Sequence, residues 1–316
     1  MLAFHDLGHG ITCIETHFHR TGLAGCYLVQ SGDQAALIDT GTAHTVPDIL
    51  ELLALRGIEP SQVRYVIPTH VHLDHAGGAG QLMSALPTAQ LLIHPQGAPH
   101  LINPEKIAAG SKSVYGDEKF RENFKEILPV AAERVIAVED GSQVNLNGRV
   151  LTCIHSAGHA RHHICIWDET SGGMFTGDTF GLAYPELTTE QGPFMVLPST
   201  PVQFDPEVWH RTLDHLMTFN PTRIYLTHYC AIDHPKLLVA ALHEELDAYP
   251  EIARSCENTE NRLPALEAAL WTYYRKRLDE HGCSLSHQEQ EHILGMDMEL
   301  CAQGLEVWLQ RSRKAV

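Results

Sequence analysis

The sequence predicts a mixed α/β chain, an αββα sandwich over residues 1–249 followed by a helical C-terminal cap over 250–316. Three observations carry this. Short β-rich runs alternate with helical spacing through the first part of the chain. A loop dense in ligand-type side chains follows an apolar run, at a strand's carboxyl end, where α/β sheets place their sites. Beyond about Pro250 no convincing strand pattern remains.

The runs 11–16, 25–29 and 35–39 read as sheet strands, the last ending in Asp39-Thr40-Gly41. Apolar positions from Val46 to Leu55 have helical spacing and Gly57 is a stop signal. A strand through Tyr65-Val66-Ile67-Pro68, a helix over 80–86 and a strand over 90–93 continue the βαβ pattern. Residues 95–129 mix prolines, glycines and charges, which suggests an insertion with short helices. Strands resume at 134–138, 149–155, 164–167 and 173–176, and helices at 206–219 and 235–249. Two halves of strands then helix would stack as the sandwich. In the tail, 263–278, 287–293 and 298–309 fit helices, too few residues for an independent core.

The chain has 316 residues and a hydrophobic fraction of 44%, that of a soluble globular protein. No stretch reaches the roughly 18 to 20 apolar residues that span a bilayer, so no membrane association is expected. The N-terminus lacks a basic region followed by an apolar core, which predicts a cytoplasmic location. The eight cysteines form no C-x-x-C pair and read as reduced and mostly buried. A formal net charge of −17 repels polyanions, so nucleic acid is disfavoured as a partner and a small-molecule substrate is expected. Histidine is the oddity: there are 22, as many as lysine and arginine together.

The segment Thr69-His70-Val71-His72-Leu73-Asp74-His75-Ala76-Gly77-Gly78 places three imidazoles and a carboxylate within six positions. In an extended segment His70, His72 and Asp74 project to one side, and the following turn brings His75 round. Four such side chains are too many for one ion that also needs distant ligands, so two ions are expected. Three further strand ends fit this reading: Gly158-His159, Gly177-Asp178 and Thr227-His228. Each is weak alone.

With these residues the chain resembles the metallo-β-lactamase-fold hydrolases, whose H-x-H-x-D-H signature stands here as His70, His72, Asp74 and His75. The similarity covers about residues 10–240. It implies His70, His72 and His159 on a first metal, Asp74, His75 and His228 on a second, and Asp178 bridging. Asp39 takes the position of an aspartate that orients the cluster by hydrogen bonding. The zinc β-lactamases with a cysteine ligand do not match, because Asp178 takes that place and Cys230 lies two residues past the last ligand. Flavodiiron members use a glutamate where this chain has His72. Transfer-RNA-processing members would want a basic exosite. In layout the chain is most similar to quinolone-signalling thioesterases, and it shares H-x-H-x-D-H-A-G-G with glyoxalase II and the acyl-homoserine lactonases.

The resemblance implies two divalent ions, zinc first, with iron or manganese as alternatives. It implies a metal-dependent hydrolase that uses a metal-bound hydroxide on a small thioester, ester or lactone, with Asp74 and Asp178 catalytic. Phosphodiester hydrolysis by the same two ions, or a metal-retaining regulatory protein acting through partners, are the alternatives. His162 and His163 are candidates for a role beside the ligands. His94 and His100 are read as solvated loop residues before substrate-facing ones. The segment 181–201, with Phe194, Met195 and Leu197, suggests an apolar wall or lid. Trp271, Tyr273 and Tyr274 are candidates to line an acyl pocket, to pack the core or to form a homodimer contact.

Overall fold

The computed structural model describes residues 2–199 and 202–314. Two compact units divide the chain. Unit 1 comprises 1–155, 162–177 and 221–233; unit 2 comprises 156–161, 178–220 and 234–316.

Among the described residues, unit 1 carries thirteen strands in two sheets. The first sheet runs in the order β1 (Phe4–Gly8), β2 (Ile11–Glu15), β3 (Gly25–Ser31), β4 (Gln34–Ile38), β5 (Val63–Ile67), β6 (Gln90–Ile93) and β7 (Val135–Ala137). Pairing is antiparallel from β1 to β4 and parallel from β4 to β7. The second sheet takes β8 (Gln143–Leu146), β9 (Arg149–His155), β10 (Ile164–Asp168), β11 (Gly173–Gly177), β12 (Arg223–Leu226) and β13 (Cys230–Asp233), in spatial order β13 to β8. Only β11 and β12 pair in parallel in that sheet.

Period-two alternation divides the first sheet between two cores. Tyr27, Val29, Ala36, Ile38, Ile67 and Leu92 join Leu151, Cys153, Ile164, Ile166 and Phe175 of the second sheet in one cluster. The intervening Cys26, Leu28, Ala35, Leu37, Val66 and Leu91 join helices α1 (Val46–Leu55) and α3 (Ala79–Ala85) in the other. Both faces are covered, so the strands are nearly continuous apolar runs in the sequence. Between β5 and α3 lies the single-turn helix α2 (Leu73–Ala76). The insertion after β6 holds α4 (Ala98–Ile102), α5 (Glu105–Tyr115) and α6 (Asp117–Phe124).

Arg149 ties the two sheets of unit 1 together. Its guanidinium forms a two-bond pair with the Asp168 carboxylate, both side chains buried, and its Nη1 also donates to the His9 carbonyl 2.6 Å away. Tyr27 Oη, on the first sheet, donates to the Leu226 carbonyl on the second.

Unit 2 contains α7 (Pro206–Met217), α8 (Val239–Ser255), α9 (Arg262–Glu280) and α10 (His287–Lys314). Asp205 caps α7, accepting from the Val208 backbone N–H at 3.2 Å. A boundary at 249/250 falls inside α8, which runs through Pro250 to Ser255. A proline lacks only its own N–H, and burial of Leu246, Tyr249 and Ala253 on either side carries the helix past it. The expected break between 293 and 298 is likewise absent: Ile293, Leu294, Met298 and Cys301 form one buried stripe of α10. The pairing strands β1 and β8 were not expected from the sequence. No described helix is long and apolar enough to cross a membrane.

Glu245 on α8 is fully buried within unit 2. Its carboxylate pairs with the Arg277 guanidinium, accepts from Tyr274 Oη at 2.9 Å and accepts from the Leu197 backbone N–H at 2.7 Å. Burial, outweighing Arg277, pushes its pKa up. Phe194, Met195 and Leu197 are buried in the same unit, with Arg277 over the Phe194 ring. They pack against the polar knot that Glu245 organises, whose anchoring to their backbone the sequence pattern did not show. Thr200 and Pro201, at the end of that segment, lie outside the described residues. Tyr274 is core, and Trp271 is buried beneath the Arg275 guanidinium. All eight cysteines are free, six of them buried.

Arg149→Met is expected to destabilise the protein by about 3 kcal/mol or more in urea unfolding, because it strands a buried carboxylate. Arg149→Met combined with Asp168→Leu should recover most of the loss; equal damage by the double variant would contradict this. A pH effect is expected at Glu306, where hydrogen bonds from Arg262 hold the carboxyl below its ordinary value. A lowered pKa stabilises the fold above the unfolded value of about 4.3 and loses that stabilisation as pH falls through the folded value. Glu306→Gln should therefore lower the unfolding free energy at pH 7, by less than about 1 kcal/mol for this partly exposed pair, and match wild type in strong acid.

Candidate metal centre

The strand β5 ends at Ile67, and the ligand-rich segment after it bends instead of staying extended. Asp74 and His75 lie on α2, so simple alternation does not aim Asp74. A helical turn does, because it lets Asp74 and His75 face a common point with His228, which follows β12. Asp74 Oδ2 is 3.6 Å from His75 Nε2 and 3.2 Å from His228 Nε2. One atom from each lies within 4.8 Å of the others, a spacing that can hold a metal ion. All three belong to unit 1.

Asp39 sets this arrangement. It directly follows β4 in a left-handed backbone conformation, φ 56°, uncommon for a residue with a side chain. Its Oδ1 accepts from the Thr69 backbone N–H at 2.7 Å and from Thr69 Oγ1 at 2.9 Å. Its Oδ2 lies 2.8 Å from His75 Nδ1 and accepts from Thr227 Oγ1 at 2.7 Å. A carboxylate can only accept, so His75 carries its proton on Nδ1 and presents the Nε2 lone pair. The Leu23 carbonyl does the same for His228, with Nδ1 at 2.9 Å.

His70 and His72 also meet in unit 1, with His70 Nε2 2.8 Å from His72 Nδ1. His70 is fully buried and His72 partly so. The His163 ring lies nearly parallel to that of His70 with centroids 4.7 Å apart, and the His162 ring stands edge-on to His72 at 5.8 Å. Both candidates therefore adjoin histidines of the candidate metal groups. His100, on α4, approaches His162 at 6.3 Å. His94 is no solvated loop residue. It is buried against His155 with ring centroids 4.1 Å apart, and burial, followed by the His155 charge, pushes its pKa down to about 4.

In unit 2, His159 Nε2 lies 3.5 Å from Asp178 Oδ2. The Pro198 carbonyl is 2.7 Å from His159 Nδ1 and again leaves Nε2 as the presenting nitrogen. Gly158 makes the turn: at φ 144° a Cβ would sit 2.5 Å from the Trp209 side chain. Gly177, before Asp178, has φ 49° and a Cβ there would meet Thr69 Oγ1 at 2.5 Å.

The donor set fits divalent ions. His75, His159 and His228 each have Nδ1 held by an oxygen acceptor, the outer bond that metal-ligating histidines make. The threonines escaped the sequence reading, although Thr-His recurs at two strand ends, Thr69-His70 and Thr227-His228. The carbonyls of Leu23 and Pro198 leave no sequence signal, since any residue supplies one.

The family model of the metallo-beta-lactamase superfamily matches residues 21–228. An acyl-coenzyme A thioesterase, MBLAC2, of Homo sapiens is 28% identical over 188 residues, 56% of this chain and 65% of the relative, so the chain spans just under two thirds of that protein's length. A metallo-beta-lactamase fold-containing protein of Sulfurisphaera tokodaii is 23% identical over 227 residues, 71% of this chain and 79% of the relative. Among solved structures, a metallo-beta-lactamase family protein of Thermus thermophilus aligns with a TM-score of 0.67 at 19% identity, covering 98% of this chain and 95% of the other. The two-sheet α/β architecture and the matched span agree: the chain belongs to the metallo-beta-lactamase superfamily.

Proposed function

We propose that this protein is a dinuclear metal-dependent hydrolase of acyl thioesters. The observation that carries the reading is the set of Nδ1-anchored histidines, His75, His159 and His228, each with Nε2 near a carboxylate of Asp74 or Asp178. In this reading His70, His72 and His159 hold one ion, Asp74, His75 and His228 the other, and Asp178 is shared. Zinc is the first choice of ion, with iron and manganese as alternatives. When bound, the two ions polarise a carbonyl and bring the pKa of water towards neutrality.

The chain's own groups do the rest. Asp39 fixes the His75 ring, and the Leu23 and Pro198 carbonyls fix His228 and His159, so the ligands are oriented before any ion arrives. Asp74, whose Oδ2 faces His75 and His228, is the carboxylate that takes the proton from the attacking water. Water adds to the acyl carbon, the carbon–sulfur bond breaks, and the proton held by Asp74 passes to the departing thiolate. A thiolate needs no strong acid to leave. Support for a thioester comes from relatives named as thioesterases, including an atrochrysone carboxyl ACP thioesterase of Cryptosporiopsis that is 26% identical over 153 residues, 48% of this chain. The acidic balance of the chain favours a small substrate over nucleic acid.

Full-length protein reconstituted separately with zinc, iron(II) or manganese(II) is expected to cleave acyl thioesters faster than lactones or bis-aryl phosphates. Chelator treatment and Asp178→Asn should each reduce turnover at least a hundredfold. Faster phosphodiester cleavage would instead identify the second reaction class, and chelator-insensitive turnover would refute the metal requirement. Asp39→Ala is expected to weaken metal retention 10- to 100-fold in competition dialysis; retention equal to wild type would remove Asp39 from the metal-supporting role.

A further inference from the structure

Helices α7 and α8 of unit 2 carry a second histidine cluster that the hydrolytic centre does not use. His210 on α7 sets its Nδ1 2.7 Å from Nδ1 of His243 on α8, with the ring planes only 6° apart. Their other nitrogens face carboxylates. His210 Nε2 is 3.2 Å from Asp247 Oδ1, and His243 Nε2 is 3.3 Å from Asp214 Oδ1.

Helix spacing builds this cluster. Asp214 stands one turn after His210 on α7 and Asp247 one turn after His243 on α8, so each histidine meets the aspartate of the facing helix. The four groups form a crossed line, carboxylate, imidazole, imidazole, carboxylate.

Each aspartate can only accept, so in the tautomer with its proton on Nε2 each ring points that proton at a carboxylate and leaves Nδ1 as an acceptor. Neutral imidazoles so arranged turn both Nδ1 lone pairs towards one another. Two lone pairs at that separation repel unless a proton or a metal ion lies between the rings.

We propose that His210 and His243 form a surface chelate for a divalent transition metal of the nickel or copper class. Carboxylates on the outer nitrogens are the partners that orient and strengthen metal-binding histidines. Bonds of about 2.0–2.1 Å at a right angle place two nitrogens about 2.9 Å apart, so the pair fits once both rings turn their lone pairs from one another towards a common point beside them; a tetrahedral angle would require about 3.3 Å. The 2.7 Å separation lies nearer that of square-planar or octahedral coordination than that of tetrahedral zinc. The imidazoles are 28% and 27% exposed, which leaves room for water to complete the coordination. The ion would cross-link α7 to α8.

The test uses the full-length chain, loaded with zinc, freed of excess metal and titrated with copper(II). Wild type is expected to bind one more copper per chain than His210→Ala or His243→Ala, with a paramagnetic resonance spectrum showing two nitrogen donors. Asp247→Asn should weaken this binding about tenfold. Copper should raise the unfolding midpoint of wild type and leave that of either histidine variant unchanged, with metal-free circular dichroism reporting that the variants are folded. Equal copper uptake by wild type and both variants overturns the proposal, as does no uptake beyond zinc in wild type, which would leave a shared proton as the cation. None of these readouts depends on thioester turnover, so the two proposals fail separately.

Discussion

The Asp39 carboxylate is the constraint on which the centre in unit 1 depends. It follows one strand of the first sheet, receives Thr69 at the end of another, holds His75 on the following helical turn and receives Thr227 at a strand end of the second sheet. One buried anion thereby sets the spacing of four chain segments. The left-handed backbone at Asp39 costs of order 1–3 kcal/mol. The hydrogen bonds the position makes possible offset it.

A common logic applies to the proposed ligands of both units. Backbone carbonyls restrain His159 and His228, and a carboxylate restrains His75. Fixing the outer nitrogen selects the tautomer and removes ring rotation, so an arriving ion orders less of the protein. Carbonyls cannot be mutated away, and they tolerate change in the side chains that carry them. Preorganisation of this kind can outlast considerable sequence drift.

Much of this was legible in the sequence because it rests on local pattern. The strand runs, the histidine-rich segment and the glycines before His159 and Asp178 are signals within a few residues of what they specify. The placement of Asp74 on a helical turn was not legible, since an extended and a helical course both use the same short segment and long-range bonds decide between them. His94 illustrates the same limit. Its burial comes from His155, sixty-one residues away, and nothing beside His94 in the sequence shows that contact. The course of α8 through Pro250 shows tertiary burial overriding a local stop signal.

Glu245 gives the helical tail a character that its polar composition conceals. The carboxylate sits on a helix that begins before residue 250, while the side chains that satisfy it, Tyr274 and Arg277, lie well beyond. Shortening the chain at that point would leave an anion in an apolar interior, and inserting a residue into α9 between Leu270 and Tyr274 would rotate the guanidinium away by about 100°. The tail is therefore bound to unit 2 by register as well as by length. Variation among chains of this design can accumulate at the far end of α10 or in the insertion after β6, where no comparable internal charge has to be met among the described residues.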